Sequence, residues 1–420
     1  MIFIENLIWH YFTIPMLLVV SLFFTIYEKG PQLKFKKMMK ALLQTDDQST
    51  LTPVGTLLIA LSARIGVGTL AGTGLAIAIG GPGAIFWMWL SAFLTSAATF
   101  VENTLSQHFK QGKAHDYYGG PAFYIQYGLK NKKLAFLYAI ILIMTYTLGF
   151  VAIQMNTITT VFVQNTNVPP VFIAATLTVL IGITIIGSLS KVSQFIAKVI
   201  PFIALFFFGL ATVALMVNFT YVPTFFIEII TSAFSGTSLA GGGIGVALTT
   251  GIKRGIFSNE AGLGTGAHAA ALTHHSNPQD QGYIGVLGIY LTTLVSITLV
   301  AFMIMSTGAH TAIDLAGNGI EFLQYALEQL FGTATAVILP TTIFFFGFST
   351  VITAYLYGAM NIKFLSEKKA MIKGLRMTLL LVVFVASISQ PAMLWRLVDT
   401  GVGITAVINL VAIILLRKYI

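Results

Sequence analysis

Four glycines in one apolar run, Gly66, Gly68, Gly72 and Gly74, carry the chemistry most visible in the spacing of this chain. Each costs about 1 kcal/mol relative to alanine inside a helix. Small residues that let helices pack closely in lipid are the plain account. The chemical account is a helix that unwinds near mid-membrane. Freed carbonyls, such as those of Gly66 and Val67, then face a cation, and a half-helix N-terminus faces an anionic group such as a free carboxylate. A second run, Ser238-Leu239-Ala240-Gly241-Gly242-Gly243, echoes Thr69-Leu70-Ala71-Gly72-Thr73-Gly74. Unwound backbone at that depth must line a polar cavity. The two runs together therefore favour the chemical account and one shared site, with Thr69, Ala71 and Gly72 on one side and Ser238, Gly241 and Gly242 on the other.

Charge near that site is sparse. Arg64 precedes the first glycines, and an unpaired guanidinium there is expensive, so it needs a carboxylate. Glu260 and Glu102 are the candidates. An Arg64–Glu260 pair reads either as an inner gate or as a static tie. Catalytic constellations are missing: the chain has no cysteine, which removes thiolate nucleophiles and thiolate metal sites. His268, His274 and His275, with Asn277 and Asp280, give no sign of converging on a transition metal. Gly262-Leu263-Gly264-Thr265-Gly266 follows no strand and lacks a Walker-type lysine, so it is not read as a nucleotide loop. Neither an enzyme nor a cofactor is expected, beyond a coupling ion.

The elements that must position these residues are helices in lipid. Of 420 residues, 56% are hydrophobic and 9% charged, against about 25% charged in a soluble domain. Eleven apolar spans of membrane-crossing length are expected, at about 6 to 26, 53 to 79, 83 to 108, 134 to 163, 169 to 187, 194 to 218, 225 to 251, 282 to 307, 333 to 360, 371 to 389 and 393 to 416. Basic clusters at 29 to 40, 110 to 133, 191 to 198, 253 to 254, 363 to 376 and Arg417-Lys418 then all fall on one side. This predicts a plasma-membrane protein with its N-terminus outside and its C-terminus in the cytoplasm. The formal charge of +9 is on this reading a topology signal, not a nucleic-acid footprint, and lipid is the surrounding partner. No extramembrane segment is large enough to suggest an obligate protein partner. The first span, with Glu5 and no basic residue before it, reads as a retained helix. Arg396 and Asp399, spaced i to i+3, are expected to pair; Glu228 is expected in solvent. The tyrosine-rich stretch 116 to 128 reads as an interfacial helix.

Five helices separate the two glycine runs, so spans 2 to 6 and 7 to 11 form two units, the second inverted relative to the first, as in secondary transporters. The predicted fold is an all-α polytopic membrane protein with a five-plus-five inverted-repeat core. Residues 1–50 supply the extra first helix and a cytoplasmic loop, 51–218 the first repeat and 219–420 the second.

The stretch from Gly251 to Gly264, with Gly255-Ile256-Phe257-Ser258-Asn259-Glu260-Ala261-Gly262 at its centre, resembles the signature of the alanine or glycine:cation symporter family. The segment from Gly80 to Leu90, Tyr118-Gly119-Gly120-Pro121, Gln154-Met155-Asn156 and Phe348-Ser349-Thr350 join it, and the resemblance runs from about residue 50 to 412. It implies a leucine-transporter-like fold and sodium-driven, sometimes proton-driven, uptake of small neutral amino acids. It also puts Gln154 and Asn156 beside the substrate, with unwound backbone around Ala71 and Gly72, and places Ser349 and Thr350 at the cation, where Thr350 also borders the substrate. Such oxygen ligands suit sodium and no transition metal. Three departures stand out. Gly66-Val67-Gly68-Thr69 replaces the family's Gly-Thr-Gly-Asn, Thr292-Thr293 its Asp-Thr, and Ala354 its tryptophan. The last implies a pocket that admits side chains larger than alanine's. The missing carboxylate at Thr292 leaves sodium coupling, proton coupling and a non-transporting sensor as alternatives.

Overall fold

In lipid a backbone must satisfy its own hydrogen bonds, and a helix does so within one segment. The computed structural model describes residues 5–44, 51–235, 243–275, 277–312, 319–389 and 392–420, and among them the only β-type pairing is a single bridge between Gln111 and Tyr118. The helices run in chain order as α1 (Leu7–Tyr27), α2 (Phe35–Leu43), α3 (Pro53–Arg64), α4 (Val67–Gly80), α5 (Gly83–Phe109), α6 (Pro121–Gly128), α7 (Lys132–Asn165), α8 (Pro170–Ile185) and α9 (Leu189–Val217). They continue as α10 (Phe219–Phe234), α11 (Gly243–Asn259), α12 (Gly266–Ala270), α13 (Gln279–Ser306), α14 (Ala309–Ala312), α15 (Gly319–Phe331), α16 (Thr335–Leu365), α17 (Lys369–Ile388) and α18 (Ala392–Leu415).

Eight helical segments among the described residues are long and apolar enough to cross a membrane, and α3 with α4, bent by 50° at their junction, makes a ninth. The expected span at 169 to 187 is the shorter α8, and the one at 225 to 251 is not one helix: α10 stops at Phe234 and α11 runs on to Asn259. Burial sorts the long helices into layers. The most apolar windows of α5 and α13 are 67% buried, those of α9 and α17 only 33% and 28%, so α5 and α13 form the centre and α9 and α17 face lipid. Threonine, serine and alanine dominate the buried face of α5, which lets neighbours approach closely.

Four charge assignments are corrected by contacts. Lys253 binds Glu5, and its Nζ also lies 2.9 Å from Asp399, while Arg254 Nη2 lies 3.1 Å from the same carboxylate. Both cations thus sit at the Glu5 end of α1, away from Lys29 to Lys40, rather than with the other basic clusters. Asp399 pairs with them instead of Arg396, because helix α11 brings two cations to it. Glu228 is not simply solvated; it accepts a hydrogen bond from Tyr221 at 2.6 Å. The remaining basic clusters do share one end of the bundle. Lys363 reaches Asp116 across 3.3 Å and Arg376 donates to the Gly187 carbonyl at 2.5 Å. Of the stretch 116 to 128, only Pro121–Gly128 is helical, and Tyr124 within it is fully buried against Asn409 rather than lying in the interface.

Helices α4 and α15 meet backbone to backbone. A Cβ on Gly74 would fall 2.0 Å from the Gly319 carbonyl oxygen, and one on Gly319 would fall 1.9 Å from that of Ala71. Gly74→Ala is therefore expected to destabilise the protein by about 1–3 kcal/mol through overpacking. Gly209→Ala, where an added Cβ meets nothing within 4 Å, should leave the thermal unfolding midpoint in detergent unchanged or raised.

Candidate functional site

The first broken helix departs from helical geometry at Ile65 and Gly66, between α3 and α4. Ala71 and Gly72 are helical, so the unwound point lies a turn or more earlier than the resemblance implied. Polar side chains take up the exposed backbone. Gln154 Oε1 accepts from the Val67 N–H at 3.0 Å, capping the start of α4. Thr69 Oγ1 donates to the Arg64 carbonyl at 2.6 Å, and Thr350 Oγ1 donates to the Ser62 carbonyl at 2.9 Å. Gly66 lies in this cluster: a Cβ there would meet Thr350 Oγ1 at 2.5 Å and Gln154 Oε1 at 3.3 Å. Of the expected cation residues, Gly66, Val67 and Thr350 come together. The Ser349 hydroxyl turns back to the Phe346 carbonyl at 3.1 Å, while its own carbonyl accepts from Ser62 Oγ at 3.0 Å.

A second break lies between α11 and α12, at residues 260 to 265. Ser238, Gly241 and Gly242, the expected counterpart, lie outside the described residues. The chain turns here through left-handed conformations at Glu260 (φ 57°), Gly262 (φ 80°) and Gly264 (φ 78°), which glycine adopts without the cost a side chain carries. Three helices hold the turn. Gly264 N–H donates to Glu102 Oε1 of α5 at 3.1 Å, Tyr138 of α7 donates to the Leu263 carbonyl at 2.7 Å, and Asn409 of α18 donates to the Gly262 carbonyl at 3.0 Å. Asn259 Nδ2 donates to Thr293 Oγ1 at 3.2 Å, so one of the two threonines in the departure from Asp-Thr meets this break. Helix α13 passes it in wide π-helical turns over Leu291–Ile297, and α7 does the same over Ile143–Phe150, a distortion often found at functional sites.

The two breaks touch. Thr69 Oγ1 and Ser258 Oγ are 2.6 Å apart. Thr69 spends its one hydroxyl proton on the Arg64 carbonyl, so Ser258 is the donor between them.

Beside this contact is a cavity of about 210 Å³ lined by Ala71, Gly72, Asn156, Arg254, Gly319 and Trp395 among others. A Cβ at Gly72 would meet nothing within 4 Å, so this position faces open space. Asn156 lines the cavity while its Nδ2 donates to the Ser389 carbonyl at 2.6 Å. Trp395, Phe257, Phe150 and Tyr146 form a continuous ring series, with centroid separations of 5.6, 5.0 and 4.5 Å. Ala354 is buried and does not line the cavity, so the space that sequence assigned to the lost tryptophan is not opened there.

Arg64 and Glu260 do not form the expected pair. The Glu260 carboxylate accepts from Tyr146 at 2.8 Å and Thr265 at 2.7 Å, because the left-handed turn aims it at those hydroxyls. Arg64 is 2% exposed and none of its side-chain nitrogens has a hydrogen-bond partner among the described residues. Its guanidinium is wedged between Gly266 and Gly288, within electrostatic reach of Glu102 and Glu260. Trp395, Arg254 and the Ser258–Thr69 contact were missed in the sequence. Ser258 and Arg254 stood inside or beside the longest motif, which was a findable signal; Trp395 had none.

Comparison with known proteins decides the family. The model of the sodium:alanine symporter family matches residues 1–420. The chain belongs to that family. It is 33% identical over 420 residues to the probable sodium/glutamine symporter GlnT of Bacillus subtilis, covering 99% of this chain and 87% of the relative. It is 34% identical over 416 residues to the amino-acid carrier protein AlsT of the same organism, covering 99% and 88%. The sodium/proton-dependent alanine carrier protein of Bacillus sp. PS3 is 33% identical over 377 residues, covering 86% and 84%. Among solved structures, MhsT in complex with L-phenylalanine superposes with a TM-score of 0.61 at 14% identity, over 89% of this chain and 90% of that one. That likeness establishes a leucine-transporter-like fold. The family member described here is a multi-pass, helical membrane protein of an amino-acid symporter family.

Ser258→Ala leaves Thr69 bound to the Arg64 carbonyl and removes only the bridge between the breaks. In a double-mutant cycle with Thr69→Val, the uptake rates are expected to be non-additive by about 0.5–3 kcal/mol; strict additivity would place the two hydroxyls in separate functions.

Proposed function

We propose that this chain is a secondary active symporter that takes up small neutral amino acids together with sodium by alternating access. The observation that carries this reading is the meeting of the broken helix α3–α4 with the end of α11 at Thr69 and Ser258, the same two helices that line a cavity through Ala71, Gly72 and Arg254. The Thr350 hydroxyl at the first break spends its proton on the Ser62 carbonyl and keeps lone pairs that suit a hard cation, and the opening turn of α4 offers a positive end to a carboxylate. The cation site is assigned to Gly66, Val67, Ser349 and Thr350, with Thr350 Oγ1 as its side-chain ligand; the Gly66 carbonyl, which accepts from the Thr69 and Leu70 N–H groups, turns from them to join it. The substrate site is assigned to Thr69, Ala71, Gly72, Gln154 and Asn156, and the echo between the two glycine runs in the sequence adds Ser238, Gly241 and Gly242 to it. Gln154 acts there by holding the start of α4 in place.

Two closures fit alternating access. On the cavity side, Arg254 and Asp399 bridge α11 to α18 next to Trp395. On the other side, Arg64 plugs the space between α3, α12 and α13, and opening requires it to leave Gly266 and Gly288. The pseudo-symmetric arrangement is a five-plus-five inverted repeat preceded by α1, eleven spans in all. The basic end of the bundle faces the cytoplasm, with the N-terminus outside.

Radiolabelled uptake into proteoliposomes tests the function. Accumulation of alanine and glycine under an inward sodium gradient, and its absence without a gradient, is the expected result. Accumulation under a proton gradient alone would replace sodium by a proton, and no accumulation under either would refute symport. Pocket size has its own test. Gly72→Val should leave the unfolding midpoint unchanged and lower kcat/KM for glutamine-sized substrates more than for glycine, since the added methyls enter open space. An equal loss for all substrates would remove Gly72 from the substrate wall.

A further inference from the structure

A second, larger cavity of about 850 Å³ lies away from the helix breaks, where the α8–α9 connection, the end of α16 and the start of α17 meet. Four cations line it, Lys363, Lys369, Lys373 and Arg376, against two carboxylates, Asp116 and Glu367. One of the cations is already offset, since Lys363 pairs with Asp116 at 3.3 Å and rests 3.6 Å above the Tyr118 ring. Arg376 is held in place by its own hydrogen bonds: Nε donates to Tyr355 Oη at 2.8 Å and Nη2 to the Gly187 carbonyl at 2.5 Å. That fixes the guanidinium and leaves Nη1 to donate to a further acceptor. Lys369, Lys373 and Arg376 recur at i, i+4 and i+7, so they share one face of α17. No acidic residue stands in the first turn of that helix, and its N-cap makes no side-chain hydrogen bond. Cations gathered at the positive end of a helix repel one another and the helix dipole, and an anion among them offsets both effects.

The surroundings say which anion. Leu189 and Ile372 also line the cavity. Helices α8 and α17 pack side by side and expose Ile183 (66%), Met377 (61%) and Leu381 (63%), and Ile186 (69%) is exposed just past the end of α8. A basic pocket that opens onto an apolar seam matches a phosphate carrying acyl chains better than a soluble ion. We propose that this cavity binds the phosphate headgroup of an anionic phospholipid, with its chains along the exposed seam of α8 and α17. Its place is mechanically significant, since α16 carries Thr350 at the first break and Tyr355 and Lys363 at this cavity. The lipid would thus brace the helix that supports the break.

The test uses the full chain in nanodiscs of phosphatidylcholine alone and of phosphatidylcholine with phosphatidylglycerol. Phosphatidylglycerol is expected to raise the unfolding midpoint of the wild type by about 2 °C or more. It should do the same for Lys132→Gln/Lys133→Gln, which removes two exposed cations elsewhere, and not for Lys369→Gln/Lys373→Gln. An equal rise in Lys369→Gln/Lys373→Gln would overturn the site. Inorganic phosphate added to the phosphatidylcholine discs is expected to leave the midpoint unchanged; a rise matching that of the lipid would assign the cavity to a soluble anion and overturn the lipid. Should the lysine variant not fold, native mass spectrometry of the wild type decides. Preferential retention of phosphatidylglycerol over phosphatidylcholine supports the proposal, and equal retention overturns it.

Discussion

A helix that breaks inside a membrane exposes backbone amides and carbonyls where no bulk water can bind them, and every other feature of this protein's centre follows from answering that need. Gln154, Thr69 and Thr350 answer it at the first break; Glu102, Tyr138 and Asn409 answer it at the second. The helices that supply these side chains, α5, α7, α16 and α18, are thereby fixed around the two breaks. What looks like a set of scattered polar residues in apolar spans is one hydrogen-bonded frame.

The frame also explains which parts of the structure were legible in the sequence. Hydrophobic length gave most of the long helices, because crossing a fixed thickness of hydrocarbon demands a fixed run of apolar residues. The first glycine cluster located the first break to within a turn or so. The second glycine run, Ser238 to Gly243, falls largely outside the described residues, and the break at 260 to 265 was not anticipated. Its signal was mixed into the Phe257-Ser258-Asn259-Glu260 motif, where only two of the turning residues are glycines and a third, Glu260, takes a left-handed backbone that sequence does not announce. Charge misled in a similar way. Lys253 and Arg254 look like a cytoplasmic pair by count, and only their contacts with Glu5 and Asp399 place them at the other end.

Side-chain direction was the least legible quantity. Gln154 and Asn156 were singled out together, yet they do different things: one caps a helix, and the other lines the cavity while tying α7 to the end of α17. Two residues apart on a helix, they point some 200° from each other about its axis, roughly two steps of 100°. Trp395 and Ala354 show the reverse problem. The cavity takes its ring from Trp395 of α18, while Ala354 of α16 is buried away from the cavity lining, and no pattern in the single sequence announces either placement.

The contact between Gly74 and Gly319 has a mechanical meaning. Side chains act as compliant spacers between helices, since their rotamers adjust when one helix tilts. At this contact α4 and α15 meet through main-chain atoms, with a carbonyl where a side chain would stand. Such a joint has little slack, so α4, the second half of the broken helix, and α15 behave as one stiff lever, and the leverage is passed on to α16 through the short turn that follows Phe331.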